Sequence, residues 1–121
     1  MNIKPILLLV LLGLSIATLR SEATLPAAEA RQKLQAGALL VDVRTKEEFA
    51  DRKLPGAINI PVDSIKSGIT KPAPDKSTAV LLHCRSGRRS AIAEKELRAL
   101  GYTNVWNIGS FEQAEKVVNA K

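Results

Sequence analysis

The sequence predicts a small, open α/β domain, with a parallel sheet of four or five strands and helices on both faces. Short apolar runs of strand length alternate with segments whose apolar residues recur at helical spacing. Glycine- and proline-containing turns separate these segments, and we find no internal repeat and no second domain. Alternating strands and helices imply parallel strands joined by right-handed crossovers. The chain has 121 residues, 25% charged and 45% hydrophobic, which suits one globular domain.

Residues 1–23 have the features of a secretory signal peptide. A short positive segment precedes the apolar run from Ile6 to Leu19, and the small residues Ser21 and Ala23 suit the positions before a cleavage site. As a helix this run would be about 21 Å long, shorter than the roughly 30 Å hydrocarbon core of a bilayer. We therefore favour cleavage over an uncleaved anchor. The expected product is a periplasmic or secreted domain of residues 24–121, without a stable membrane anchor.

Charge and composition restrict the partners of this domain. The chain carries a net charge of +6, and removal of Lys4, Arg20 and Glu22 leaves +5, which favours small anionic substrates. The basic residues are dispersed and only 3% of residues are aromatic, so nucleic acid is a poor fit. The single cysteine and single histidine do not form a metal-ligand set, and we expect no metal or organic cofactor.

The first predicted helix and strand follow directly. Pro26 is suited to start a helix in which Ala30 and Leu34 share a face, and Gly37 suits its C-terminal cap. The apolar segment from Ala38 to Val43 then predicts a buried strand.

A capping box and a tight turn organise the next segment. Residues 45–48, Thr-Lys-Glu-Glu, predict a short helix that begins at Lys46 and buries Phe49. Residues 54–56, Leu-Pro-Gly, suit a type II turn, because proline sets φ at one central position and glycine accepts a positive φ at the next. A short strand at residues 57–60 follows.

The remaining flanking elements are less regular. Asp63 can cap one helical turn, and residues 67–77, which contain Gly68 and two prolines, predict a surface crossover. Residues 103–108 predict the last strand, and residues 110–113, Ser-Phe-Glu-Gln, predict a second capping box. The inward residues of the helix that follows are expected to be Phe111, Ala114 and Val118.

The central unit runs from Thr78 to Leu100. Its strand ends at His83, and a polar, glycine-containing loop then connects Cys84 to a helix. Side chains alternate along a strand, so His83 points away from the cysteine, and we favour a core role for it over a role as general base. The helix face expected to be buried comprises Ser90, Ala93, Leu97 and Leu100.

Cys84 is the main candidate for chemistry. It lies where a strand ends and a helix begins, a place where unpaired backbone N–H groups favour anions. Arg85, Arg88 and Arg89 add positive charge, and such surroundings lower a cysteine pKa from about 8.5 to roughly 3.5–7.5. The alternative is a buried structural thiol. In an oxidising compartment, however, an unpaired cysteine is better explained by reactivity.

Three blocks of sequence carry a resemblance to a known family. They are Cys-Arg-Ser-Gly-Arg-Arg-Ser at 84–90, Val-Asp-Val-Arg-Thr-Lys-Glu-Glu-Phe at 41–49 and Leu-Pro-Gly-Ala-Ile-Asn-Ile-Pro at 54–61. In their order along the chain they resemble the single-domain rhodaneses, which are thiosulfate sulfurtransferases, from about Leu25 to the end of the chain. The Gly-Tyr-Thr-Asn-Val segment at 101–105 is similar to the small periplasmic rhodaneses of the phage-shock type.

The resemblance implies a two-step sulfur transfer. The Cys84 thiolate would take sulfur from thiosulfate or a similar anionic donor, release sulfite, and pass the sulfur from its persulfide to a thiophilic acceptor such as cyanide or a thiol. We expect a monomer without a cofactor. The Asp42 and Arg44 pair would support the site, although an edge ion pair of little energetic worth is the other interpretation. The expected substrate-binding residues are Arg85, Ser86, Gly87, Arg88, Arg89 and Ser90, whose N–H groups would surround the sulfur.

Two other functions use similar features. One is a cysteine-dependent phosphatase or arsenate reductase, and the other is a non-catalytic sulfur carrier or interaction module. In the phosphatase pattern five residues separate the cysteine from an arginine, whereas here four separate Cys84 from Arg89 and the phosphatase arginine position holds Ser90. The shorter loop favours a site that fits one added sulfur atom over a phosphoryl group.

Overall fold

Four parallel strands form an open sheet in the computed structural model, which describes residues 23–120. The spatial order is β2-β1-β3-β4, and each neighbouring pair runs parallel. This confirms the predicted α/β class and shows that the sheet has four strands in the described range. The strands are β1 (Leu39–Asp42), β2 (Ile58–Asn59), β3 (Val80–His83) and β4 (Val105–Gly109).

Helices connect the strands and flank the sheet. A 3₁₀ turn at Val62–Ser64 precedes the third helix. Within residues 23–120 no helix is long and apolar enough to cross a membrane. The predicted signal peptide lies outside the described residues except for Ala23. The helices are α1 (Ala27–Gln35), α2 (Lys46–Asp51), α3 (Ile65–Gly68), α4 (Arg88–Ala99) and α5 (Phe111–Asn119).

The sheet separates two apolar layers. Strand alternation sends Leu82 to one face, where it packs with residues of α3 and α4, and Leu81 to the other, where it packs with residues of α1 and α5. Helices therefore cover both faces, as the sequence predicts. Cys84 belongs to the layer of α4.

Both predicted capping boxes are present, at the starts of α2 and α5. The prediction that Phe49 is buried is wrong, because α2 lies at the surface and Phe49 is only half-buried. In α5 the fully inward residue is Val117, while Val118 is half-buried at the edge of the same cluster. Phe111 and Ala114 are buried as predicted, so only the third inward position differs, by one residue.

The crossover at residues 67–77 is not wholly a surface segment. Ile69 and Ala73 are fully buried, and they continue a row begun by Ile65. Backbone bonds from Ile69 to Ile65 and from Ala73 to Ile69 maintain this spacing of four. The buried Tyr102 hydroxyl donates to the Ala73 carbonyl at 2.7 Å. The crossover therefore contributes to the core.

An irregularity in β4 bears on the site. Leu82 pairs with Asn107, but the next residue of β3, His83, pairs with Gly109, so Ile108 is an extra residue and forms a β-bulge. Gly109 has a φ of 99°, and a Cβ placed there would lie 2.0 Å from Gln113 Oε1. The backbone conformation favours glycine at this position, and any larger residue would have to displace the end of the Gln113 side chain.

Candidate active site

Cys84 follows the last residue of β3 and faces the first turn of α4. Its N–H donates to the Gly109 carbonyl at 3.2 Å, so the bulged strand β4 holds its backbone. The side chain is fully buried in the layer of α4. The strand, loop and helix thus place the sulfur where the sequence predicts it.

Three donors surround the sulfur. The Gly87 N–H lies 3.0 Å from Sγ, the Ser90 N–H 3.4 Å and the Ser90 hydroxyl 3.5 Å. Burial is the largest single influence and raises the pKa of the Cys84 thiol. Hydrogen bonds from the Ser90 hydroxyl and from the N–H groups of Ser90, Gly87 and Ser86 outweigh it, so the pKa lies below its ordinary value. The site favours a thiolate.

Gly87 allows this arrangement. It is the N-cap of α4 and has a φ of 96°, in the left-handed region that glycine tolerates best. This conformation ends the loop and starts the helix while the Gly87 N–H faces Sγ. Ser86, beside it, forms an isolated antiparallel bridge with Ser110 and so ties the loop to the start of α5.

The three arginines occupy different environments. Arg89 forms two hydrogen bonds with the Glu48 carboxylate, at 2.8 and 3.1 Å, and these bonds are the main reason that the pKa of Glu48 falls to about 2. Arg85 and Arg88 are exposed. The charge of Arg89 is therefore matched within the chain, while Arg85 and Arg88 lie at the surface of the loop.

Asp42 and Arg44 form a buried ion pair at the end of β1. Arg44 donates to Asp42 through its backbone N–H at 2.9 Å and through its guanidinium at 2.7 Å. Asn59 of β2 donates to the carbonyl oxygens of both residues, each at 2.9 Å. This pair is buried and fully engaged, unlike the weak surface pair that was the other interpretation.

His83 lies on the opposite face from Cys84. Its ring is fully buried and meets Phe111 edge to face, with ring centroids 5.8 Å apart. Within the described residues neither ring nitrogen has a hydrogen-bond partner. Burial holds the pKa of His83 below its usual range. The core placement predicted for His83 is confirmed.

Two residues of the site were not identified from the sequence. Glu48 was recognised only as part of a capping box, and Asn107 only as part of a strand. In the structure Asn107 is fully buried and contacts both Ser90 and Gly87. The blocks at 41–49 and 84–90 both resemble the same family. That shared resemblance is the signal that could have indicated a contact between Glu48 and Arg89. No sequence spacing indicates the contact of Asn107.

A cleft of about 410 Å³ opens beside the loop. Arg85 contributes to it from the loop, Arg52 from the end of α2 and Phe111 from the start of α5. The Arg52 guanidinium lies 4.0 Å from the centre of the Phe111 ring. Three carboxylates, Glu48, Asp51 and Glu112, also line the cleft and balance its three arginines, so it combines mixed charge with an aromatic wall next to the cysteine loop.

Comparison with known proteins places residues 26–116 in the rhodanese-like domain family. Thiosulfate sulfurtransferase PspE of Escherichia coli is 39% identical over 72 residues, which cover 60% of this chain and 69% of that protein. The adenylyltransferase and sulfurtransferase uba4 of Ogataea parapolymorpha is 43% identical over 65 residues, 54% of this chain but only 16% of that protein.

A solved structure shares the fold. The structure described as a rhodanese with anions from E. coli superposes with a TM-score of 0.62 at 36% sequence identity. The match covers 64% of this chain and 91% of that one. The similarity extends over most of that smaller protein.

Proposed function

The chain belongs to the rhodanese-like family, and we propose that it transfers sulfane sulfur from thiosulfate, through a Cys84 persulfide, to a thiophilic acceptor. The relatives whose names describe sulfurtransferases support sulfur transfer in general. The single observation that carries the proposal of a Cys84 persulfide is the set of hydrogen-bond donors around Cys84 Sγ. Gly87 and Ser90 stabilise negative charge on a sulfur that is shielded from water.

The first step forms the persulfide. The Cys84 thiolate attacks the outer sulfur of thiosulfate, a new S–S bond forms, and the old S–S bond breaks. Sulfite leaves with the bonding electron pair, and the negative charge resides on the persulfide. The hydrogen bonds that lower the thiol pKa keep Cys84 in the nucleophilic form for this attack.

The second step returns the enzyme to its starting state. Cyanide attacks the outer sulfur of the persulfide, thiocyanate forms, and Cys84 leaves as a thiolate with the bonding electron pair. A thiolate acceptor would react in the same way and become a persulfide. A thiol with a low pKa is a good leaving group, so the same donors serve both steps.

The exposed charges at the loop suit a dianionic donor. Arg85 and Arg88 are free to attract thiosulfate, whereas the structure assigns Arg89 mainly to its contact with Glu48. Cys84 is fully buried, so we expect the exposed side chains around it to move aside when the donor enters. The adjacent cleft is the expected approach for the acceptor.

Phosphate chemistry fits this loop less well. Ser90 occupies the place where a phosphatase would present an arginine, and it is fully buried against the sulfur. A tetrahedral phosphoryl group needs donors spread over several oxygens. The donors here converge on one atom, which favours sulfur transfer.

Intact-mass measurement tests the proposal. Thiosulfate should add the mass of one sulfur atom, and cyanide should remove it with release of thiocyanate. Cys84→Ser should do neither, and neither protein should hydrolyse an aryl phosphate. A persulfide that forms but resists cyanide would instead support a sulfur carrier. Turnover by Cys84→Ser, or Cys84-dependent phosphatase activity, would falsify the proposal.

A further inference from the structure

We propose that Asn107 is a positioning residue for the Cys84 thiolate, acting through the Ser90 hydroxyl and the Gly87 peptide. The inference rests on the proposed function only in taking Cys84 as the reactive thiol. Asn107 is in β4 rather than in the cysteine loop. It therefore adds a residue from a second strand to the machinery around the sulfur.

The amide of Asn107 has one orientation that satisfies its neighbours. Its Oδ1 accepts from the Gly109 N–H at 2.8 Å and from the Ser90 hydroxyl at 2.7 Å. Its Nδ2 donates to the Gly87 carbonyl at 3.2 Å. Reversing the amide would place a donor against the Gly109 N–H and an acceptor against the Gly87 carbonyl.

The bulge in β4 makes this reach possible. Gly109, rather than Ile108, pairs with His83, so the chain turns immediately after Asn107. The bond from the Gly109 N–H to Asn107 Oδ1 closes the turn. On the opposite side, the backbone carbonyl of Asn107 accepts from the Thr24 N–H at 2.7 Å. The backbone and side chain of Asn107 are both held.

The Ser90 hydroxyl has one proton and two acceptors. Asn107 Oδ1 is 2.7 Å away and Cys84 Sγ is 3.5 Å away. When Cys84 is a thiol, the hydroxyl donates to Asn107 and offers a lone pair to the S–H. When Cys84 is a thiolate, the proton is shared with sulfur. In both states Asn107 keeps the Ser90 oxygen beside Sγ.

Both contacts of Asn107 support the thiolate. Gly87 provides the shortest hydrogen bond to Sγ, at 3.0 Å, and Asn107 Nδ2 and the Ala91 N–H together hold the Gly87 carbonyl. The Ser90 hydroxyl is the donor that lowers the pKa of Cys84 most, and Asn107 keeps its oxygen beside Sγ. Loss of Asn107 releases the Ser90 side chain and one of the two hydrogen bonds to the Gly87 carbonyl. The hydrogen bonds to Sγ should therefore weaken and the thiol pKa should rise.

The test measures thiol pKa from the rate of iodoacetamide alkylation against pH. Asn107→Leu keeps the approximate side-chain shape and removes both polar atoms. We expect the thiol pKa of Cys84 to rise by about one unit, which slows alkylation about tenfold at pH values below the pKa. Asn104→Leu is the matched control, since Asn104 precedes the same strand and bonds Trp106 instead. It should leave the thiol pKa unchanged.

A double-mutant cycle tests the route through Ser90. The rise in pKa for Asn107→Leu combined with Ser90→Ala should be smaller than the sum of the single effects, because the two residues act as a unit. A folded Asn107→Leu protein with wild-type alkylation at every pH overturns the proposal. Additive effects overturn the route through Ser90. If Asn107→Leu does not fold, Asn107→Ser, which leaves room for water, decides by the same pKa criterion. The alkylation rate does not depend on sulfur transfer. A failure of the proposed function would therefore be seen separately, in the intact-mass measurement.

Discussion

At the scale of single residues, the ion pair between Glu48 and Arg89 joins α2 to the first turn of α4, next to Cys84. Both side chains are about three-tenths exposed, so solvent screens part of their interaction. Glu48 also accepts from the Thr45 N–H and hydroxyl in the capping box. The Glu48 carboxylate thus takes part in the capping box of α2 and also pairs with Arg89 beside the cysteine loop.

The pair should contribute a pH-dependent part of stability. The pKa of Glu48 falls from 4.5 to about 2 on folding, so its contribution is present above pH 4.5 and is lost as pH falls towards 2. Glu48→Gln should lower the unfolding free energy at pH 7 by about 1 kcal/mol, and the difference from wild type should disappear near pH 2. Urea unfolding of both proteins at pH 7 and near pH 2 measures this difference in unfolding free energy. Glu115→Gln, which breaks a more exposed pair with Arg52, should change little; equal losses from both would contradict the prediction.

The exposed arginines should affect the capture of the anionic donor rather than the stability of the fold. Arg85→Ala and Arg88→Ala should lower kcat/KM for thiosulfate and flatten its decrease with rising ionic strength, because they remove charge near the entrance. Lys95→Ala removes the same charge from an exposed position further along α4 and serves as the control. A kcat/KM that does not respond to salt, with both arginine variants at wild-type level, would reduce these residues to ordinary surface charge.

At the scale of elements, the bulge of β4 connects the sheet to the site. The Gly109 carbonyl accepts from the Cys84 N–H, and its own N–H donates to Asn107. A single glycine therefore supports two parts of the cysteine environment. Its left-handed conformation favours glycine, and a larger residue would also have to displace the Gln113 side chain.

Gly109→Ala should consequently lower the free energy of unfolding by more than the cost of the positive φ alone. The strained φ costs about 1–2 kcal/mol, and the contact with Gln113 adds to this cost. Gly37→Ala is a close control, because Gly37 has a φ of 102° and nothing within 4 Å of the added Cβ. Urea unfolding of the two variants gives the comparison. Equal destabilisation would show that Gln113 moves aside without cost.

At the scale of the whole molecule, the start of the described chain is tied to the sheet. Thr24 donates through its N–H to Asn107 and through its hydroxyl to Glu94, which lies on α4. This contact covers the outer edge of β4. A domain that begins near Thr24 would retain it.

We propose that the protein is exported and that its mature form begins near Thr24. Expression in a bacterium with periplasmic extraction should yield a protein whose intact mass and N-terminal sequence match residues 24–121. Replacing Leu9 and Leu12 by arginine should interrupt the apolar run and prevent processing. Soluble cytoplasmic protein that retains Met1 in the unaltered chain would contradict both the compartment and the argument from an oxidising environment.

Local information in the sequence determined the order of strands and helices, both capping boxes and the cysteine loop. Each depends on residues within a few positions of one another, as when Thr45 caps the helix that contains Glu48. The unusual combination of Cys84 with a glycine and arginines also indicated Cys84 as the candidate reactive thiol. Such features depend on backbone conformation and spacing, which a single segment specifies.

Only the tertiary structure decided which distant residues complete the site. Asn107 reaches Ser90 because β3 and β4 pair in parallel and a bulge shifts their register. Glu48 meets Arg89 because β1 and β3 are parallel neighbours, so the segments that follow them and lead into α2 and α4 lie at the same edge of the sheet. Ile69 is buried because a crossover folds back on the core. The contacts of Asn107 and Glu48 depend on strand register and on packing between distant segments, and no local pattern in the sequence indicates them. The row that contains Ile69 does have a local spacing of four residues, but its burial depends on the same packing.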